Sequence, residues 1–395
     1  MVSIDEISDP KNDFNLNIPR YIDSQETEDI QDIAAHLMGG IPNADIEALN
    51  EYWTVYETLK AELFAPGKRQ GYSELKIGKD AIKQTIFQHP EFVSFSLEMD
   101  SLFGDWKTRN TELLKNLTVG IKPKETIFQV SEDALKTYTG KALMDKYDVY
   151  QHLMNYWNET MQDDCYLIAA DGWKAEPYRI LVKNKAGADV DKGWDCDLVP
   201  KTLVIDRYFE KEKTTIEKLE ARREDIISQL TELEEEHGGE DGYFADMEKV
   251  NKVSVQKRLK EIKTKDKVAK GIFLEEAEQE VSQGEAAVLE KYLKLVEDQA
   301  DLNKKIKDAI TDLDKKALNH YKTLTEADIK QLVVDDKWMS SIERSVKTEM
   351  ERISQRLTQR IKELTERYEY TLGFLAKDAE KWEVKVMSHL QKMGF

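Results

Sequence analysis

Three arginines stand four residues apart near the end of the chain: Arg352, Arg356 and Arg360, within "RISQRLTQR". On a helix this spacing brings the guanidinium groups to one side, where they can pair with carboxylates or with phosphates. A second cationic group lies in residues 249 to 270, which hold nine Lys or Arg against two acids, with Lys257, Arg258 and Lys260 at its densest point. Such a run could touch DNA phosphates. The plainer reading is neutralisation by the stretch just before it, "ELEEEHGGEDGYFAD", which carries seven acids and no Lys or Arg. His237 in that stretch is a lone histidine on a turn beside acids, a setting more often structural than catalytic.

Catalytic constellations are otherwise missing from the sequence. No Gly-rich loop follows a strand, no Walker-type lysine loop occurs, and no two prolines are adjacent, so there is no Asn-Pro-Pro-aromatic loop. The six histidines are scattered outside HExxH or HxE…CxxC spacing. Cys165 and Cys196 read as reduced, structural thiols of a cytosolic protein. The expectation is therefore no catalytic, cofactor-binding or metal-ligating residue, and no enzyme in this chain alone. A net charge of −19 repels a phosphate backbone overall, so nucleic-acid contact must be local or supplied by a basic partner. With no signal peptide and no apolar run near the ~20 residues of a membrane span, the chain reads as soluble, cytoplasmic and without a membrane partner.

The elements that would carry these residues are mainly α-helical. Residues 25–160 read as a helical domain, with stop signals at "GGIPNAD" and Pro90 and a loop at "FAPGKRQGYSEL". Residues 161–205 read as a small β-containing insertion, with "DDCYLIAADGW" and "PYRILVKN" as strands. Across 206–320, Ile216, Leu219, Ile226, Leu230 and Leu233 form one heptad seam, interrupted by Arg223. Tyr292, Leu295, Leu302, Ile306, Ile310 and Leu313 form another, and the pair predicts an antiparallel coiled-coil hairpin with a charged tip. Residues 321–395 hold a C-terminal helix pair. Met350, Ile353, Leu357, Ile361, Leu364 and Tyr368 make an apolar stripe on the first helix. Leu375, Ala379, Trp382, Val386, Leu390 and Met393 make one on the second, after a break assigned to a left-handed cap at Gly373. The two stripes could bury each other, with the arginines held by Glu349 or Glu363, or they could serve a partner. A lone strand, "FNLNI", opens the chain with alternating apolar residues and asks for a sheet that the next hundred residues do not offer.

Several segments resemble the modification subunit of type I restriction–modification systems. "NDFNLNIPRYID" is similar to the segment closing that subunit's methyltransferase domain. "DLVPKTLVIDRYF", "EEHGGEDGYFAD", "VVDDKW", "RISQRLTQRIKELTERY" and "KVMSHLQKMGF" resemble successive blocks of its C-terminal half. The family methylates adenine N6 in DNA with S-adenosylmethionine, and two modification subunits grip a specificity subunit that reads the DNA. The resemblance implies that residues 1–24 close a methyltransferase domain encoded upstream, whether this chain is a fragment, a truncated reading frame or part of a split subunit. It implies no cofactor on this chain, since both catalytic loops are lacking, and S-adenosylmethionine on the complete subunit. The specificity subunit, DNA through the assembled complex, and the restriction subunit are the partners it brings in. Because the family's C-terminal helices pack on the specificity subunit's coiled coil, Leu357, Ile361, Leu364, Leu375, Trp382, Val386 and Leu390 become the expected docking residues. A coiled-coil scaffold unrelated to methylation, and an enzyme with an unrecognised site, remain as other readings.

Overall fold

The computed structural model describes residues 31–394 other than 184, 186, 188, 241, 246 and 270–275, with backbone alone at 265–269 and 276–283. The strand expected at the start of the chain lies outside these residues. The described chain is mainly helical and divides into two compact units, 31–103 with 137–149 and 346–394, and 104–136 with 150–345. The block expected as one helical domain, 25–160, is thus shared between them.

In the first unit, short helices enclose an apolar core that includes Tyr56, Leu59, Leu63, Ile82, Ile86 and Met99. The "GGIP" and "FAPGKRQGYSEL" segments are more than a stop and a loop. They supply β1 (Ile41–Pro42), β2 (Phe64–Pro66) and β3 (Tyr72–Leu75), an antiparallel sheet in the order β1-β3-β2. Short strands bounded by Gly and Pro carry too few residues to show a period of two, which is why they read as irregular.

The second unit contains the hairpin and a β-ribbon, β4 (Tyr178–Lys183) with β5 (Asp189–Asp195). Only half of the expected β insertion is strand. "DDCYLIAAD" lies in a helix, Gln162–Asp171, that continues from a π turn at Trp157–Met161. Asp164, Cys165 and Ile168 are its buried residues, and with Met161 of the π turn they are spaced 3, 1 and 3, which is a helical face. A short apolar run does not distinguish the two states by itself. Burial pushes the Cys165 thiol up to about 12, leaving it protonated at neutral pH.

The hairpin forms as its heptads demand. Glu210–His237 and Glu276–Tyr321 run antiparallel, since Lys316 pairs with Glu212 (3.0 Å) at one end and the Tyr292 hydroxyl donates to Glu234 (3.1 Å) at the other. Ile216, Ile226, Leu230, Leu233, Leu302, Ile306 and Leu313 are buried, but Ile310 is half-exposed. At 100° per residue, Ile310 falls about 40° outside the arc defined by Leu302, Ile306 and Leu313. A third helix, Lys252–Ala269, packs Val255, Leu259 and Ile262 into the tip core with Phe244 and Leu289. The turn beneath is possible only with glycine at 242, because a Cβ there would run into the His237 carbonyl group.

"VVDDKW" lies in a second π-helical stretch, Gln331–Met339. Its polar residues are all tied within the unit: Asp335 to Lys115, Asp336 to Arg207 (2.8 Å), and Lys337 with Trp338 to Asp164.

Candidate docking and anion-binding surfaces

The two closing helices differ in what their apolar faces meet. Ser340–Arg367 lays Met350, Ile353, Leu357, Ile361, Leu364 and Tyr368 into the first unit, all buried. Its end is fixed by the Tyr368 hydroxyl, which donates to Asp45 (3.0 Å) and accepts from the Asp32 amide (3.3 Å), and by the Lys79–Glu369 ion pair. Leu357, Ile361 and Leu364 are fully buried, so they are core residues of this unit and not a docking surface, contrary to expectation.

The final helix, Leu372–Met393, contains no buried residue. Its N-terminus lies beside the Ile33–Met38 helix of the same unit, whose Ile33, Leu37 and Met38 are themselves exposed. Leu375, Trp382, Val386, Leu390 and Met393 are exposed along one side, Trp382 at 56% and Leu390 the least so at 38%. The two stripes therefore do not bury each other. The helix starts at Thr371, whose hydroxyl accepts from the Phe374 amide (3.3 Å). Gly373 sits inside the first turn and supplies no left-handed cap; that role falls to Gly394, at φ 90°. Near the Trp382 ring, the Lys385 ammonium stands 4.3 Å from the centroid, and the indole N–H donates to Asp378 (3.2 Å).

The arginine side of the preceding helix borders a groove of about 630 Å³ whose opposite wall includes Lys83. Arg352 donates through Nε to Glu349 (2.7 Å), forms a second bond to the same carboxylate, and lies 3.5 Å from Asp148. These carboxylates raise the Arg352 pKa further, Glu349 contributing most. Arg360 pairs with Glu363 at 3.6 Å. Arg356 is exposed and has no ion-pair partner among the described residues. The carboxylate pairing expected for this row thus holds for two of its three members.

At the hairpin tip, Arg258 donates to Glu285 (2.7 Å), Lys263 to Glu290 (2.7 Å), and Lys252 pairs with Glu297 (3.1 Å). These carboxylates belong to the return helix, so the local charge is lower than a residue count implies. Lys257 and Lys260 point to solvent. His237 stacks near Tyr243 and Phe244, with centroids at 5.0 and 6.0 Å, and its carbonyl accepts from the Phe244 amide. That is a role in the turn.

Sequence reasoning missed one polar cluster. Lys337 Nζ donates to Asp164 Oδ1 (2.8 Å) and to the Leu198 carbonyl (3.1 Å), while the Trp338 indole donates to Asp164 Oδ2 (2.7 Å). Burial raises the Asp164 pKa, and Lys337 opposes the shift. Every acceptor is committed to protein, so this is a structural lock. No signal in either short segment pointed to its partner 173 residues away.

No family model, curated protein or solved structure matches this chain. No group of three or more potential metal ligands occurs among the described residues, and no helix among them is long and apolar enough to cross a membrane.

Proposed function

We propose that this chain is the non-catalytic, C-terminal part of a type I modification subunit, and that it docks the specificity subunit through its final helix. The observation behind the reading is a 22-residue helix with a continuous apolar stripe and no buried side chain. Most helical stability in proteins comes from packing an apolar face, and this helix buries none of its own side chains. A helical partner with an apolar groove supplies that packing. The resemblance of the closing blocks to the family's C-terminal half names the partner: the coiled coil of the specificity subunit.

In this reading the chain lies in the cytoplasm and supports sequence-specific adenine-N6 methylation by the assembled complex. S-adenosylmethionine belongs to the complete subunit, in a domain that carries the two loops this sequence lacks. DNA and the restriction subunit join through the assembly.

Trp382 is the anchor, since it offers the largest exposed apolar side chain at the centre of the stripe. Trp382→Ala should weaken association with the specificity subunit by about 2 kcal/mol or more, and deletion from Leu375 onward should abolish it. Co-purification and calorimetry read the effect, with circular dichroism showing that the remainder stays folded. Full association of the deletion variant would move the interface elsewhere and sink the proposal.

A further inference from the structure

The groove beside the arginine row differs in kind from the final helix. The residues lining it are all polar or charged, four cations (Lys83, Arg352, Arg356 and Arg360) against the single carboxylate of Glu363, with Gln355 and Gln359 interleaved, although their aliphatic stems form much of its wall. Protein hot spots pair Arg with Trp or Tyr anchors in well-packed pockets, and among its lining residues this groove has the arginines without an aromatic or aliphatic anchor. What it holds is a row of donors repeating about every 6 Å, four residues at 1.5 Å each along one helix. The buried stripe flanking the row on the same helix keeps it in place.

The carboxylates sort these cations. Glu349 and Glu363 engage Arg352 and Arg360 from the same helix, orienting their planes and offsetting their charge. Lys83 and Arg356 are both exposed and have no ion-pair partner among the described residues. A net positive strip therefore persists locally on a chain of net charge −19.

We propose that this groove binds the phosphate backbone of a nucleic acid, with Arg356 and Lys83 supplying the charge and Gln355 a neutral donor in the same lining. Guanidinium and ammonium groups on phosphates set position and affinity without reading sequence. The contact is therefore indifferent to sequence, and it is independent of the docking proposed for the final helix.

The test uses the full chain and a short labelled DNA duplex, with binding followed by anisotropy across a salt series. At about 0.9 per phosphate contact, losing two contacts lowers the slope of log K against log salt by roughly 1.8. Lys83→Gln with Arg356→Gln should show that decrease for matched and unmatched sequences alike. Gln355→Glu, which adds a carboxylate to the strip, should weaken binding in the same way, whereas Lys257→Gln with Lys260→Gln at the hairpin tip should leave the slope unchanged. An unchanged slope in both groove variants would overturn the proposal. So would polyglutamate binding that is lost in these variants while duplex binding persists, an outcome that assigns the groove to an acidic protein segment. Co-purification with the specificity subunit reports on the final helix separately, since none of these substitutions touches it.

Discussion

Two consecutive helices carry nearly the same apolar spacing and meet opposite fates. From Met350 to Tyr368 every stripe residue is buried, whereas from Leu375 to Met393 every one is exposed. Neither propensity nor period separates them. The first helix finds a core already lined by its own unit, and each buried Leu or Ile there contributes about 1.5–3 kcal/mol. The second has the same kind of face, held by its caps, intrahelical contacts and a contact with the Ile33–Met38 helix that buries none of its side chains. An apolar period shows that a face exists. Whether the chain itself covers that face depends on residues hundreds of positions away.

The largest expected effect tests this contrast directly. Leu357 is fully buried, so Leu357→Ala should destabilise the first unit by about 2–5 kcal/mol. In the isolated chain Trp382→Ala should change stability by less than about 0.5 kcal/mol, because an exposed side chain leaves no cavity. Urea unfolding followed by circular dichroism compares them. Equal losses would mean that the final helix is covered within the chain after all.

A smaller contrast lies along the arginine row. Glu349 is buried and holds Arg352 through two hydrogen bonds, so Glu349→Ala should cost about 1–3 kcal/mol. Glu363, on the groove, is about half-exposed, and Glu363→Ala should cost under about 0.5 kcal/mol. It should also strengthen anion binding, because it removes a carboxylate 3.6 Å from Arg360. The same unfolding experiment, together with the duplex titration, measures both.

How much of this was legible beforehand follows from the range of the interactions. The hairpin and the two closing helices were legible because heptads repeat often enough to define a face. Strands of two to four residues were not, nor was the helical run around Cys165, whose apolar residues fit either period. The pairing of Arg352 with Glu349 could be anticipated from i,i+3 spacing, but Asp148 could not. Lys83 was overlooked because a lysine on a short helix carries no mark of the groove it borders. The basic tip looked stronger than it is, since Glu285, Glu290 and Glu297 sit across a helix boundary from the lysines and arginine they neutralise.

The smallest expected effect lies in the hinge between the two helices and is decided by its sign. Gly373 occupies the first turn of the final helix, outside the left-handed region, and a Cβ built there meets nothing within 4 Å. Gly373→Ala should therefore stabilise that helix by about 0.4–1 kcal/mol, chiefly by restricting the unfolded chain. A left-handed cap at this position would give the opposite sign, because alanine is strained there. Hydrogen exchange across 372–393 resolves the difference: protection should rise two- to fivefold in the final helix and stay unchanged in Val346–Arg367. If the partner binds the helical state, the same substitution should tighten specificity-subunit binding by a similar factor, since a larger fraction of the chain is then competent to bind. Higher protection without tighter binding would show that the partner engages this segment in some form other than the helix.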